Sequence, residues 1–231
     1  MKKILLGIWV FLLFAAPVEA YGSVLHYFTE TEAGRRQAAE AAQREFRTLA
    51  QDTSSARYLQ RVFSCLLSPE EKQAKLYRVL VRPEKSINAY ALPGGVILVN
   101  EAALLDLPED ELKVLLAHEL GHEVLQHPLA GMRRSSRSRY FLSRIRLTTT
   151  PAEGEKAAQC FIQAACSAEI LCREEREADV WAAERLRASG ADLTAGVRLW
   201  RHLEQLYGPA SYAGNHLPFV EREKIYASNG G

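Results

Sequence analysis

The stretch PEDELKVLLAHELGHEVLQHP, Pro108 to Pro128, decides how this chain is read. Proline suits the first turn of a helix, because the N–H it lacks would be unsatisfied there. Glu109, Asp110 and Glu111 follow, and acids in a first turn complement the helix dipole. Leu112, Leu115, Leu116 and Val124 carry the helix onward until Pro128 ends it. Residues four apart lie on one helical face, so His118 and His122 can grip one metal ion. Glu119 is offset by one position, where its carboxylate reaches a metal-bound water rather than the ion. Two neutral imidazoles and an open coordination position suit Zn²⁺, which lowers the pKa of a bound water towards about 7. Gly121 costs about 1 kcal/mol of helix propensity, which makes sense where another backbone or a ligand comes close. His127, five residues past His122, stands about 140° around a continuous helix and is expected to face away from the metal. His26 and His202 have no partner at ligand spacing and read as surface or packing residues.

A third ligand is expected from another helix. The best candidate is Glu175 in Glu175-Arg176-Glu177-Ala178-Asp179, where Glu175 and Asp179 share a face, one to ligate and the other to accept a hydrogen bond from a ligand imidazole. Spacing alone leaves Glu174 and Glu177 open as ligands.

The rest of the chain frames these two helices. Thr31 to Ala50 is rich in Ala, Glu, Arg and Gln and reads as a helix. Thr53 to Leu67 carries Leu59, Val62, Phe63 and Leu66 at helical spacing, and Ser68-Pro69-Glu70-Glu71 breaks it. Short β-type runs follow at Leu76 to Val81, Ile87 to Leu92 and Val96 to Val99, with Pro93-Gly94-Gly95 turning between the last two. Helices are expected from about Pro151 to Ser189 and from Leu193 to Tyr207, with a short final helix. Met132 to Arg146 holds six arginines and no acid. It reads as a solvated, mobile connection between the metal-binding helices, with a flap over the cleft or a contact with an anionic membrane surface as functional alternatives. There is no internal repeat and no clear interdomain linker.

Composition sets outer bounds. The 231 residues are 48% hydrophobic and 25% charged, with a net charge of +1. That excludes a disordered chain or an array of membrane spans, and it offers no global argument for nucleic-acid binding. Lys2 and Lys3 precede an apolar run from Ile4 to Ala16 and a small-residue site ending at Ala20, the pattern of a secretory signal peptide. The run falls short of the roughly 20 apolar residues of a spanning helix. Position 21 is a tyrosine, so the cysteine of a bacterial lipoprotein is missing there. Cleavage after Ala20 turns 29 basic and 28 acidic residues into 27 of each. The expected domains are therefore a signal peptide at 1–20 and one catalytic domain at 21–231, exported most simply into a bacterial periplasm. Export permits disulfides. Cys160, Cys166 and Cys172, six apart on one expected helix, lie too far from one another to pair, whereas one of them could meet Cys65.

Taken together, His118-Glu119-Leu120-Gly121-His122 and Glu175-x-x-Ala178-Asp179 resemble the zinc endopeptidases related to HtpX, BepA and the CAAX prenyl proteases (metallopeptidase family 48, of gluzincin type). Asn88-Ala89-Tyr90-Ala91-Leu92-Pro93-Gly94-Gly95-Val96-Ile97 is similar to that family's strand-turn-strand. Glu111-Leu112 stands seven residues before His118 as in the family helix. His216-Leu217-Pro218 with Arg222 resembles a C-terminal histidine–proline–arginine element. The likeness runs from about Leu76 to Arg222. Two positions depart from it: Leu171 and Cys172 stand where the family usually has Ser-Arg, and Leu217 splits the usual His-Pro pair.

The resemblance implies an α+β fold: a mainly helical, zincin-like metalloprotease domain with a small sheet whose edge strand borders the active-site cleft. It implies that His118, His122 and Glu175 bind one Zn²⁺, that Glu119 is general base and then proton donor, and that Asp179 orients a ligand histidine, His118 in the first instance. It implies that Val96, Ile97, Leu98, Val99 and Asn100 align a peptide as an added strand. His216 would cap the zinc and keep the enzyme latent or touch the transition state, with an exposed loop histidine as the plain alternative, and Arg222 would support the tetrahedral intermediate. The partner is a protein or peptide, with exported, misfolded or misassembled envelope proteins as the natural class, and no nucleic acid. The competing reading is a non-proteolytic envelope chaperone or binding factor using the same cleft. The short remainder after Arg222 implies a bare protease domain without helical repeats.

Overall fold

The computed structural model describes residues 18–146, 151–208 and 217–228. Twelve helices and three strands are found among them. Strands β1 (Arg78–Arg82), β2 (Ala89–Leu92) and β3 (Val96–Asn100) form one sheet in the order β1-β3-β2. β3 pairs parallel with β1, Val79 opposite Ile97, and antiparallel with β2, Ala91 opposite Ile97. The β2–β3 hairpin turns at Gly94 and Gly95, whose φ values of 95° and 81° lie where an L side chain is strained. A Cβ on Gly95 would also stand 2.0 Å from the Leu76 carbonyl oxygen.

The alternation along β3 explains the two cores. Side chains of a strand point to opposite faces in turn. Ile97 and Val99, with Val79 and Val81, face one core, filled by α3 (Ser54–Ser64), α6 (Glu109–Val124), α10 (Cys172–Ala188), α11 (Thr194–Tyr207) and α12 (Phe219–Ser228). Val96 and Leu98, with Leu80 and Leu92, face the other, filled by α1 (Val18–Glu30), α2 (Glu32–Glu45) and α9 (Pro151–Ala165). A strand covered on both faces needs apolar residues at every position, and the VILV run of β3 supplies them. Val24, Leu25 and Phe28 of α1 lie in the second core. A chain starting at Tyr21 keeps all three.

Four short helices differ from the sequence reading. α4 (Pro69–Ala74) starts at the break expected at Ser68, through a capping box between Ser68 and Glu71. α5 (Glu101–Asp106) follows β3 directly. The basic stretch is no mobile connection. It folds as α7 (His127–Arg134) and α8 (Ser136–Leu142), because Met132, Leu142 and Ile145 recur among the arginines and pack into the second core. Arg139 donates to the Arg133 and Arg134 carbonyls and so ties the two helices together. The cysteines do not share one helix either: Cys160 is in α9, Cys166 lies past its end and Cys172 opens α10. Cys65, Cys160 and Cys166 carry free thiols, so no bridge reaches Cys65. Among the described residues no helix is long and apolar enough to cross a membrane.

Helix α6 is the axis of the fold, buried on every side from Glu111 to His122 except at Lys113. Its closest neighbour is α10, and Gly121 permits the approach. A Cβ there would stand 3.0 Å from the Ala178 carbonyl oxygen and 3.1 Å from the Trp181 ring. Gly121→Val is therefore expected to destabilise the protein by about 1–3 kcal/mol through overpacking, read as a lower midpoint in denaturant unfolding. An unchanged midpoint would show that α10 can move away freely.

Candidate metal centre and active site

The i, i+4 spacing on α6 brings His118 and His122 together with Nε2 atoms 3.0 Å apart. Glu175, in the first turn of α10, faces them with Oε2 3.6 Å from His118 Nε2 and Oε1 3.6 Å from His122 Nε2. All three side chains are buried, and no larger distance than 4.8 Å separates their donor atoms. Donors about 2.0–2.1 Å from a tetrahedral ion stand about 3.3–3.4 Å apart, close to these separations. Two imidazoles and a carboxylate with room for a further ligand are the donor chemistry of a catalytic zinc site, and the residues fit that ion. Burial, followed by the neighbouring His118, holds His122 well below its ordinary pKa, so its ring is neutral as a ligand must be.

The two other acids left open by spacing are otherwise engaged. Glu174 forms a bidentate pair with Arg134, both contacts 2.8 Å, and its Oε2 accepts the Leu171 N–H at the start of α10. Arg134 thereby clamps the turn that carries Glu175. Glu177 meets His127, with Oε2 3.1 Å from Nε2.

Behind the ligands lies a buried ionic cluster. Asp179 Oδ1 is 3.0 Å from His118 Nδ1. Arg222 donates to the same carboxylate twice, Nε to Oδ2 at 2.7 Å and Nη2 to Oδ1 at 2.9 Å, and Tyr226 donates to Oδ1 at 3.3 Å. Burial alone would raise the Asp179 pKa, but Arg222 and His118 outweigh it and hold the carboxyl below its usual value. The guanidinium lies 3.4 Å from the Trp200 ring centroid, and its Nη1 is 3.5 Å from Glu175 Oε2. Arg222 thus sits among the ligands, with two of its donors already spent on Asp179. His216 lies outside the described residues.

Glu119 lines a cleft of about 540 Å³ together with His118, His122, Glu175 and Arg222. Burial raises its carboxyl above the ordinary range, against the pull of His118, and a hydrogen bond from the Ala91 N–H also opposes the rise. That bond shows which strand borders the cleft. Val96–Asn100 is the central strand, paired on both sides and no more than 1% exposed, so it has no backbone groups left for a peptide. The sheet edge beside the site belongs to β2, the opposite strand of the expected hairpin. β2 is paired only to β3 among the described residues, and Ala89 to Leu92 all line the cleft.

A family model described as peptidase family M48 matches residues 53–226, from just before α3 into α12. The chain belongs to peptidase family M48. It is accordingly a metallopeptidase, and the matched region contains the ligand pair, Glu119, Glu175, Asp179 and Arg222. A search of curated proteins returns no match to the chain. Helices α1 and α2 precede the matched part of this M48 chain and complete its second core.

Two residues of the M48 site were missed in the sequence. His127 is buried, with Nδ1 3.0 Å from His122 Nδ1. His127 does not stand where a continuous helix would put it, because α6 stops at Val124 and Gln126 takes a left-handed φ of 59°, which swings His127 back towards the site. Pro128 was the available signal, since a proline there makes a continuous helix through His127 unfavourable. The other is Glu123, on the turn after His122. Its Oε1 accepts the N–H groups of Gly94 at 3.1 Å and Gly95 at 2.7 Å, tying the β2–β3 turn to the ligand helix. Glu123→Ala should strip both amides of their acceptor at a cost of about 1–3 kcal/mol. Faster hydrogen exchange at Gly94 and Gly95 is the expected signature, and unchanged exchange would refute the tie.

Proposed function

We propose that this protein is a zinc-dependent endopeptidase that cuts extended segments of exported envelope proteins. One observation carries the reading: Glu119 stands beside the His118, His122 and Glu175 cluster in a cleft bordered by the open edge of β2. A peptide laid along Ala89 to Leu92 would gain main-chain hydrogen bonds whatever its sequence once it displaces Asn88 and Glu119 from the Ala89 and Ala91 N–H groups, as suits a protease of unfolded chains. Ile87, Leu115, Trp200 and Leu203 give the cleft an apolar wall, which favours a bulky apolar side chain near the scissile bond.

When bound at the three ligands, zinc supplies Lewis acidity that makes a water acidic and polarises the scissile carbonyl. Glu119 takes the proton from the attacking water and returns it to the leaving nitrogen as the C–N bond breaks. Glu119 is only 7% exposed, which limits the access of bulk water to that proton. Asp179 holds the proton on His118 Nδ1 and so leaves Nε2 with its lone pair directed at the metal. Arg222 balances the charge of Asp179 and Glu175, and its Nη1, 3.5 Å from Glu175 Oε2, would steady a negative oxygen in the transition state.

The envelope assignment rests on Lys2, Lys3, the Ile4 to Ala16 run and Ala20, most of which precede the described residues. An approach to anionic lipid is supported by Arg133, Arg137, Arg144 and Arg146, which remain exposed on and beyond α7 and α8. Latency through His216 is supported by the resemblance around Pro218.

Casein digestion is expected to proceed with the purified protein, to stop with a chelator and to return on adding zinc. Glu119→Gln should retain zinc and lose proteolysis by at least about 100-fold, the general-base contribution. Full activity in that variant would refute the mechanism, and binding of unfolded protein without any cleavage would favour a chaperone. His216→Ala should raise the proteolytic rate, and an unchanged or lower rate would refute the cap.

A further inference from the structure

The ligand His118 has its outer nitrogen on a carboxylate, whereas the ligand His122 has its outer nitrogen on another histidine. His122 Nδ1 and His127 Nδ1 are 3.0 Å apart. The two rings meet at 74° with centroids 5.1 Å apart, an edge contact rather than a stack. On its far side His127 Nε2 lies 3.1 Å from Glu177 Oε2, and the Glu177 side chain is 55% exposed. The row therefore runs from the buried ligand cluster out to solvent.

We propose that His127, backed by Glu177, is a positioning residue that fixes the tautomer and the ring orientation of the ligand His122. The inference rests on the metal reading above. A hydrogen bond between two imidazole nitrogens needs one proton on one of them. His122 Nε2 faces His118 Nε2 and Glu175, so it must be the unprotonated, ligating nitrogen, and the proton of the neutral ring is on Nδ1. His122 Nδ1–H then donates to His127 Nδ1. His127 in turn carries its proton on Nε2 and donates it to Glu177, a carboxylate that can only accept. Every tautomer along the row follows from the ligand at its inner end.

The arrangement explains why three acids alternate along the first turns of α10. Glu175 faces the metal position, Glu177 holds His127 and Asp179 holds His118. It also accounts for a histidine buried at the start of α7, where the left-handed Gln126 and the following Pro128 set its direction. Without His127, the buried His122 Nδ1–H has no acceptor, and the ring is free to turn or to take the other tautomer. Outer partners of ligand histidines typically strengthen metal affinity about 10–100-fold.

The test measures zinc affinity of the whole protein by competition with a chromophoric chelator, independently of proteolysis. His127→Phe fills the same space without a nitrogen and should weaken zinc binding about 10–100-fold. His127→Asn puts an oxygen near the Nδ1 position and should recover most of the loss. Glu177→Ala, at an exposed position that should not threaten folding, should weaken binding by roughly three- to tenfold. Zinc binding by His127→Phe equal to that of the wild type would overturn the proposal. So would His127→Asn as weak as His127→Phe, because restoring an acceptor near the Nδ1 position would then restore nothing. If His127→Phe fails to fold, unchanged affinity in Glu177→Ala overturns it instead. A wild-type protein that takes up no zinc would refute the metal reading itself, and the positioning role with it.

Discussion

The fold depends on one close approach, that of α6 to α10 at Gly121. Without a side chain at this position the Ala178 backbone can come so near; a Cβ would press on it at 3.0 Å and push the helices a few tenths of an ångström apart. That contact brings the turn carrying His118 and His122 opposite the turn carrying Glu175 and Asp179. Three donor atoms can then converge although they come from segments more than fifty residues apart. Everything else around the site holds this crossing. Arg134 clamps the start of α10 through Glu174, α11 and α12 pack on its far side, and Glu123 ties the sheet to α6.

Bringing those turns together buries several charged groups, and their mutual satisfaction shapes the site. Asp179 is fully buried, yet it stays ionised because Arg222 supplies a bidentate partner and His118 and Tyr226 add hydrogen bonds. A buried ion pair contributes little net stability against a well-packed apolar alternative, but removing one partner strands the other. The cluster is therefore a device for geometry. It sets the direction of His118, and through Arg222 it joins the C-terminal α12 to a centre whose candidate ligands lie on α6 and α10. Trp200 roofs the guanidinium, so α11 also belongs to this support.

Much of this was legible before folding was considered. The helix of the two candidate histidine ligands could be read because its signals are local: a proline start, acids in the first turn, histidines at i and i+4, and a proline stop. The hairpin could be read from Pro93-Gly94-Gly95 between two apolar runs. The short helices α5, α7 and α8 escaped because six to eight residues hold too few turns for a periodic pattern, and arginines masked the apolar positions of α7 and α8. The direction of His127 escaped because one left-handed residue, Gln126, ends the helix on which an angular argument relies.

The sequence alone determined the chemistry: two histidines and a glutamate at helical spacing, a second helix with acids at 175, 177 and 179, and a resemblance that joins them. Within each of the two motifs the residues lie only a few positions apart, and local backbone geometry suffices to interpret each one. Tertiary structure decided what depends on partners distant in the chain. A run of apolar residues looks the same at the centre of a sheet as at its edge, so only the parallel pairing of β1 with β3 left β2 as the strand facing the cleft. Likewise any of four acids on α10, Glu174, Glu175, Glu177 or Asp179, could have faced the histidines. The crossing at Gly121 chose Glu175, because it set the rotation of α10 against α6.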